Sequence, residues 1–136
     1  MNYQALLGAL KERVTSLGYH PTSAENLHPT LRSEGFPIAI ISYPQLTSLE
    51  GTVEVKKSFS VEVKLLKENA VIPSVRAESV ASLVADAERL AGLLADHSSV
   101  LEVTIEEIVP VERMLTIAGD VAITFKMRIR TIECCL

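Results

Sequence analysis

The stretch Val53-Glu54-Val55-Lys56-Lys57-Ser58-Phe59-Ser60-Val61-Glu62-Val63-Lys64-Leu65-Leu66 decides the fold. Val53, Val55, Phe59, Val61, Val63 and Leu65 alternate with Glu54, Lys56, Ser58, Ser60, Glu62 and Lys64. Successive side chains of a strand point to opposite faces, so this period of two predicts one long strand with an apolar and a polar stripe. Lys57 interrupts the pattern, as a strand end or a bulge would. A second run, Leu115–Ile132, repeats the design. Leu115, Ile117, Val121, Ile123, Phe125, Met127 and Ile129 share one face, while Thr124, Lys126, Arg128 and Arg130 share the other. Gly119 is the expected bend in it.

The flanking segments change period. From Asn2 to Leu17, Tyr3, Leu6, Leu7, Leu10, Val14 and Leu17 recur at three- and four-residue steps, which predicts an amphipathic helix stopped by Gly18. Thr22–Gly35 reads as a loop. Pro37–Tyr43 is a β-branched apolar run suited to a strand buried on both faces, and Leu46–Gly51 then reads as a turn. After a loop at Lys67–Pro73, Ser74 is the expected N-cap of a second helix reaching about His97. Its apolar face is Val80, Leu83, Val84, Ala87, Leu90, Ala91 and Leu94, with Glu78, Asp86, Glu88 and Arg89 facing mainly outward. Val100–Val109 alternates again, with a phase shift at Glu106-Glu107 that a bulge would explain. The order is α-β-β-α-β-β. It implies an α+β fold: a four-stranded, mainly antiparallel sheet with long hairpins and two helices packed on one face.

The 136 residues suit a single domain, 1–136. Hydrophobic residues make up 48% and charged residues 22%, which excludes a disordered chain. Aromatics are 4% and Trp is absent, so the core must be aliphatic. A net charge of −4 argues against general nucleic-acid binding. The N-terminus lacks the basic and unbroken apolar regions of a signal peptide, and no stretch is long and uncharged enough to cross a bilayer. A soluble cytoplasmic protein without membrane contact is the expectation.

The candidate sites are sparse. His20 and His28 flank Glu25, but not at the spacing of a helical metal pair. His97 stands beside Ser98 and Ser99, where a helix end followed by a polar turn is a sufficient account. Cys134 and Cys135 adjoin, with no CxxC spacing, and read as small apolar residues closing a strand. Glu102, Glu106, Glu107 and Glu112 form an acidic group best read as a solvent face. Lys126, Arg128 and Arg130 form a basic row expected to pair with Glu54 and Glu62 across the sheet or on a neighbouring copy. No P-loop, GxGxxG or GxSxG is present. The expectation is a protein that is not an enzyme, with no catalytic residue, cofactor or metal.

Length supplies the functional clue. The two alternating runs would extend roughly 45–60 Å if straight, against about 34 Å for the longer helix. The excess apolar stripe should overhang its cover, and a second copy would shield it.

The helix ending at Leu17-Gly18-Tyr19, the strand Pro37–Tyr43, the long strand Val53–Leu66, the helix Ser74–His97 and the strands Leu101–Val109 and Leu115–Ile132 together resemble the tail terminator, or tail-completion, proteins of long-tailed bacteriophages and their minor-tail relatives. The likeness is of architecture over nearly the whole chain and carries no functional residue across. It implies a homo-oligomeric ring, commonly a hexamer, that caps the tail tube and meets the head connector, in the cytoplasm of a bacterial host and then in the virion. The rival readings are a small-molecule-binding or enzymatic α/β domain around His20, Glu25 and His28, and a two-fold dimeric interaction adaptor.

Overall fold

A computed structural model describes residues 1–22, 37–51, 53–68, 73–111 and 120–134. In chain order its elements are α1 (Tyr3–Ser16), β1 (His20–Thr22), β2 (Ile38–Ile41), β3 (Gln45–Glu50), β4 (Glu54–Glu68), α2 (Pro73–Ala95), β5 (Val100–Val111) and β6 (Asp120–Cys134). The fold is α+β, with two helices and a mixed sheet of six strands among the described residues instead of the expected four.

Both additional strands were hidden by local chemistry. β3 falls where a turn was expected, because its two leucines are three residues apart. The register against β4 shifts between Leu46 and Ser48, so Thr47 is an extra residue and the period of two is lost. The turn itself is at Gly51, whose φ of 114° suits glycine. A Cβ there would lie 1.8 Å from the carbonyl oxygen of Glu54. β1 is only three residues long and contains Pro21. It runs parallel to β2 at the sheet's margin, where proline is tolerated.

The two alternating runs are direct neighbours. β4 and β6 pair antiparallel without a slip from Glu54↔Cys134 to Glu68↔Asp120. Lys57 is therefore no bulge; it reaches the Glu133 carboxylate at 2.5 Å. β5 lies outside β6, so the sheet order is β1-β2-β4-β6-β5, with β3 continuing along the β2 side of β4. The chain passes from β4 through α2 to the far edge and returns inside it. The bulge expected at Glu106-Glu107 is present, with Glu107 at φ 47°. Gly119, Leu115 and Ile117 lie outside the described residues.

The helices are capped and phased as their sequences require. The Asn2 side chain accepts from the Ala5 N–H at 2.7 Å, and Gly18 at φ 92° ends α1. α2 begins at Pro73, one residue before the expected cap Ser74; proline at a first helical position forfeits no bond. Leu6, Leu10 and Val14 of α1 join Leu83, Ala87, Leu90 and Leu94 of α2 over one sheet face. On that face Phe59, Val61, Val63, Leu65, Val121, Ile123, Phe125, Met127 and Ile129 are at most 2% exposed. β2 is buried on both faces, as expected: Ala39 and Ile41 enter this core, while Ile38 and Ile40 join Leu66 and Ala122 on the other side.

The helices cover the middle of the long strands: the buried part of the apolar stripe, from Phe59 to Leu65 and from Val121 to Ile129, spans only about 20–27 Å, within the reach of α2 at about 34 Å. Val53, where the expected stripe begins, is 71% exposed, and Leu115 and Ile117 lie outside the described residues. α1 closes the far end, where the Tyr3 ring meets Phe59 edge-on at 6.3 Å. Other exposed apolar residues include Leu46 at 50% and Leu49 at 60%, both in β3, and Leu101 and Val109 of β5.

Lys57, and after it the terminal ammonium of Met1, hold the Glu133 carboxyl below its ordinary value of 4.5. A depressed carboxyl stabilises the fold above its unfolded value and ceases to do so as the pH falls through the folded one. Wild type and Glu133→Gln should therefore differ in melting temperature near neutrality and converge progressively as the pH falls from 4.5 through the lower folded value. A difference that persists in acid would refute the pairing as its source.

Candidate functional site

The helix-free face of the sheet carries most of the sequence's candidate residues. On β6, alternation sends Lys126, Arg128 and Arg130 to this face. β5 adds Glu102, Thr104 and Glu106, and β4 adds Ser58, Ser60 and Glu62. A shallow trough of about 550 Å³ runs along it, reaching Gln45 and Ser48 of β3. The Arg128 Nε is 2.9 Å from Glu106, and the Arg130 Nη1 is 3.4 Å from Glu102.

The partners of the basic row are therefore the β5 glutamates, not Glu54 and Glu62 as expected. The reason is topological: β5 returns beside β6 on its open side, so the acidic and basic groups read separately in the sequence neutralise each other. Glu62 instead accepts from the Thr124 hydroxyl at 3.4 Å and lies 3.9 Å from Lys64. Glu54 stands opposite Cys134 at the strand end. Lys126 lies in register between Glu62 and Glu106 but makes no ion pair within 4.0 Å among the described residues. The trough is lined by three cations, Lys126, Arg128 and Arg130, and by two acids, Glu102 and Glu106, which pair with Arg130 and Arg128. Each pair is solvent-exposed and worth at most about 1 kcal/mol.

The other candidates do not converge. His20 opens β1 and is exposed, its N–H bonded to the Pro37 carbonyl at 2.8 Å. Glu25, His28, Glu112 and Cys135 lie outside the described residues. The His97 Nδ1 accepts the Ser99 backbone N–H at 3.0 Å, which closes the turn after α2 and leaves no serine hydroxyl on that nitrogen. Among the described residues, no three His, Cys, Asp or Glu side chains gather as metal ligands. No described helix is long and apolar enough to cross a membrane.

One polar group escaped the sequence reading. Asp86 was expected to face outward and is 7% exposed. Its carboxylate accepts the Tyr19 hydroxyl at 2.6 Å and pairs with Arg89 at 2.9 Å and Lys67 at 3.5 Å. Burial, and then this bond to a carboxylate, push the Tyr19 hydroxyl well up from its ordinary value. The network ties the exit of α1 to α2 and to the end of β4, so its role is structural. The signal was present, since Asp86 is three residues after Leu83 and four before Leu90, on the buried face.

The sheet margins are the remaining feature with functional content. β3 has all six residues exposed; among the described residues it pairs only with β4, and β5, twelve residues long, pairs only with β6. Each leaves a row of backbone donors and acceptors on its outer side, and such margins attract another strand. Within β3, Leu46 and Leu49 are on the helix-bearing face but remain exposed. No protein-family model and no curated protein sequence matches the chain.

Proposed function

We propose that this chain is a non-enzymatic structural protein that assembles with copies of itself into a ring, at the tail end of a phage or prophage. The observation that carries the self-assembly is a pair of sheet margins unpaired among the described residues, one of which carries exposed leucines that neither described helix covers. Sizeable exposed apolar patches on a folded protein mark interaction sites. The phage setting rests on the architectural resemblance: a helix, a long-stranded sheet and a second helix in the order of the tail terminator proteins. In that setting the partners are the tail tube and the head connector. The location is the host cytoplasm and then the virion, with no membrane or direct nucleic-acid recognition.

Sedimentation velocity across a wide concentration range and negative-stain imaging test this reading together. The expected result is one discrete oligomer with a ring-shaped outline that binds isolated tail tubes at their ends. A monomer at every concentration that also ignores the tubes would overturn it.

A further inference from the structure

We infer that the ring closes by antiparallel addition of Thr104–Val109 in β5 of one copy to Gln45–Glu50 in β3 of the next. This inference rests on the self-assembly proposed above and specifies its contact. The strand directions allow it. β3 runs antiparallel to β4, β4 to β6, and β6 to β5, so β3 and β5 run in opposite senses at opposite margins. A neighbour placed side by side in the same orientation thus presents its β3 antiparallel to β5, with both helix layers on the same side.

One register satisfies every local constraint. Leu49 falls opposite Ile105 and Ser48 opposite Glu106. The extra residue of β3, Thr47, then meets the extra residue of β5, Glu107, so the two bulges coincide and no slip results. Beyond them Leu46 falls opposite Ile108. The faces agree: Leu46 and Leu49 share the helix-bearing face with Ile105 and Ile108, which pack on the core beneath the helices. Pairing ends at Pro44 opposite Pro110, neither of which has an N–H to give.

Charge selects this contact over the two-fold alternative. β5 carries Glu102, Glu106 and Glu107 and no cation, so two copies of β5 side by side would crowd like charges along one seam. β3 carries one acid, Glu50, and this register sets it opposite Thr104 instead of a glutamate. The Ser48 hydroxyl is then placed to donate to Glu106. Unlike surfaces on opposite margins give a head-to-tail contact, which closes a ring or extends a filament.

The test uses the full chain with Cys134→Ser and Cys135→Ser, carrying Ser48→Cys and Glu106→Cys together. Opposed Cβ atoms of an antiparallel pair lie about 4.5–5.5 Å apart, near the reach of a disulfide. Mild oxidation should produce a reducible ladder extending past the dimer, and either cysteine alone should produce none. Dimers from Glu106→Cys alone would overturn the inference in favour of two-fold pairing. An intact oligomer without a ladder would overturn it and leave self-assembly standing, whereas a monomer would remove both. Leu49→Glu supplies a second readout: Leu49 is exposed in the protomer, so circular dichroism should be unchanged while the oligomer is lost. An oligomer undisturbed by Leu49→Glu would also count against the contact.

Discussion

Phe125→Ala is expected to lower the free energy of unfolding by about 3–5 kcal/mol, the range for truncating a fully buried aromatic residue. Phe125 sits on β6, opposite Val63 on β4 and Ile108 on β5, in the core on the face that α2 covers. Aromatics are scarce in this chain, so few neighbours can expand into the space. The natural control is Leu46→Ala. Leu46 lies on the same sheet face, opposite Phe59, yet is 50% exposed. Its truncation should change protomer stability by less than about 0.5 kcal/mol. Urea denaturation of the two variants measures the contrast. Similar losses from both would mean that the helices cover β3 as they cover β6.

Asp86→Ala should cost about 2–4 kcal/mol, in the range for removing one partner from a buried charged network. The loss has two parts. The buried Tyr19 hydroxyl loses its acceptor, and Lys67 and Arg89 lose the charge they surround. Both cations keep access to water, which places the expected value below that of a sealed ion pair. Tyr19→Phe removes only the hydroxyl and should cost about 0.5–1.5 kcal/mol. Because the two residues touch, the double variant should lose less than the sum of the single losses. Chemical denaturation of all four proteins gives that coupling. Additive losses, or an Asp86→Ala protein as stable as wild type, would show that the bond does not secure α1 to α2.

Periodic features were legible from residues alone because periodicity is local. The alternation from Glu54 to Leu66 and from Val121 to Arg130 placed each side chain on its correct face, and the three–four spacing of Leu83, Ala87, Leu90 and Leu94 identified the buried side of α2. β3 was not legible, since one extra residue at Thr47 erases the alternation of a six-residue strand. Asp86 was misread for another reason: its type argued for solvent while its helical position argued for the core, and only its partners resolve that conflict. The basic row and the acidic group were both recognised. Their mutual pairing was not, because it depends on β5 lying beside β6.

The sequence by itself determined the two helices, the four periodic strands and most of their faces, the aliphatic character of the core and the absence of any familiar catalytic motif. Each of these follows from spacing over a few residues or from composition. Only the tertiary structure decided that the two long strands pair with each other, that the helices bury the stripe from Phe59 to Leu65 and from Val121 to Ile129, and that Leu46 and Leu49 stand uncovered in a strand of their own. Those outcomes depend on contacts between segments far apart in the chain. Their free energy comes from burial against a partner, which no local pattern encodes.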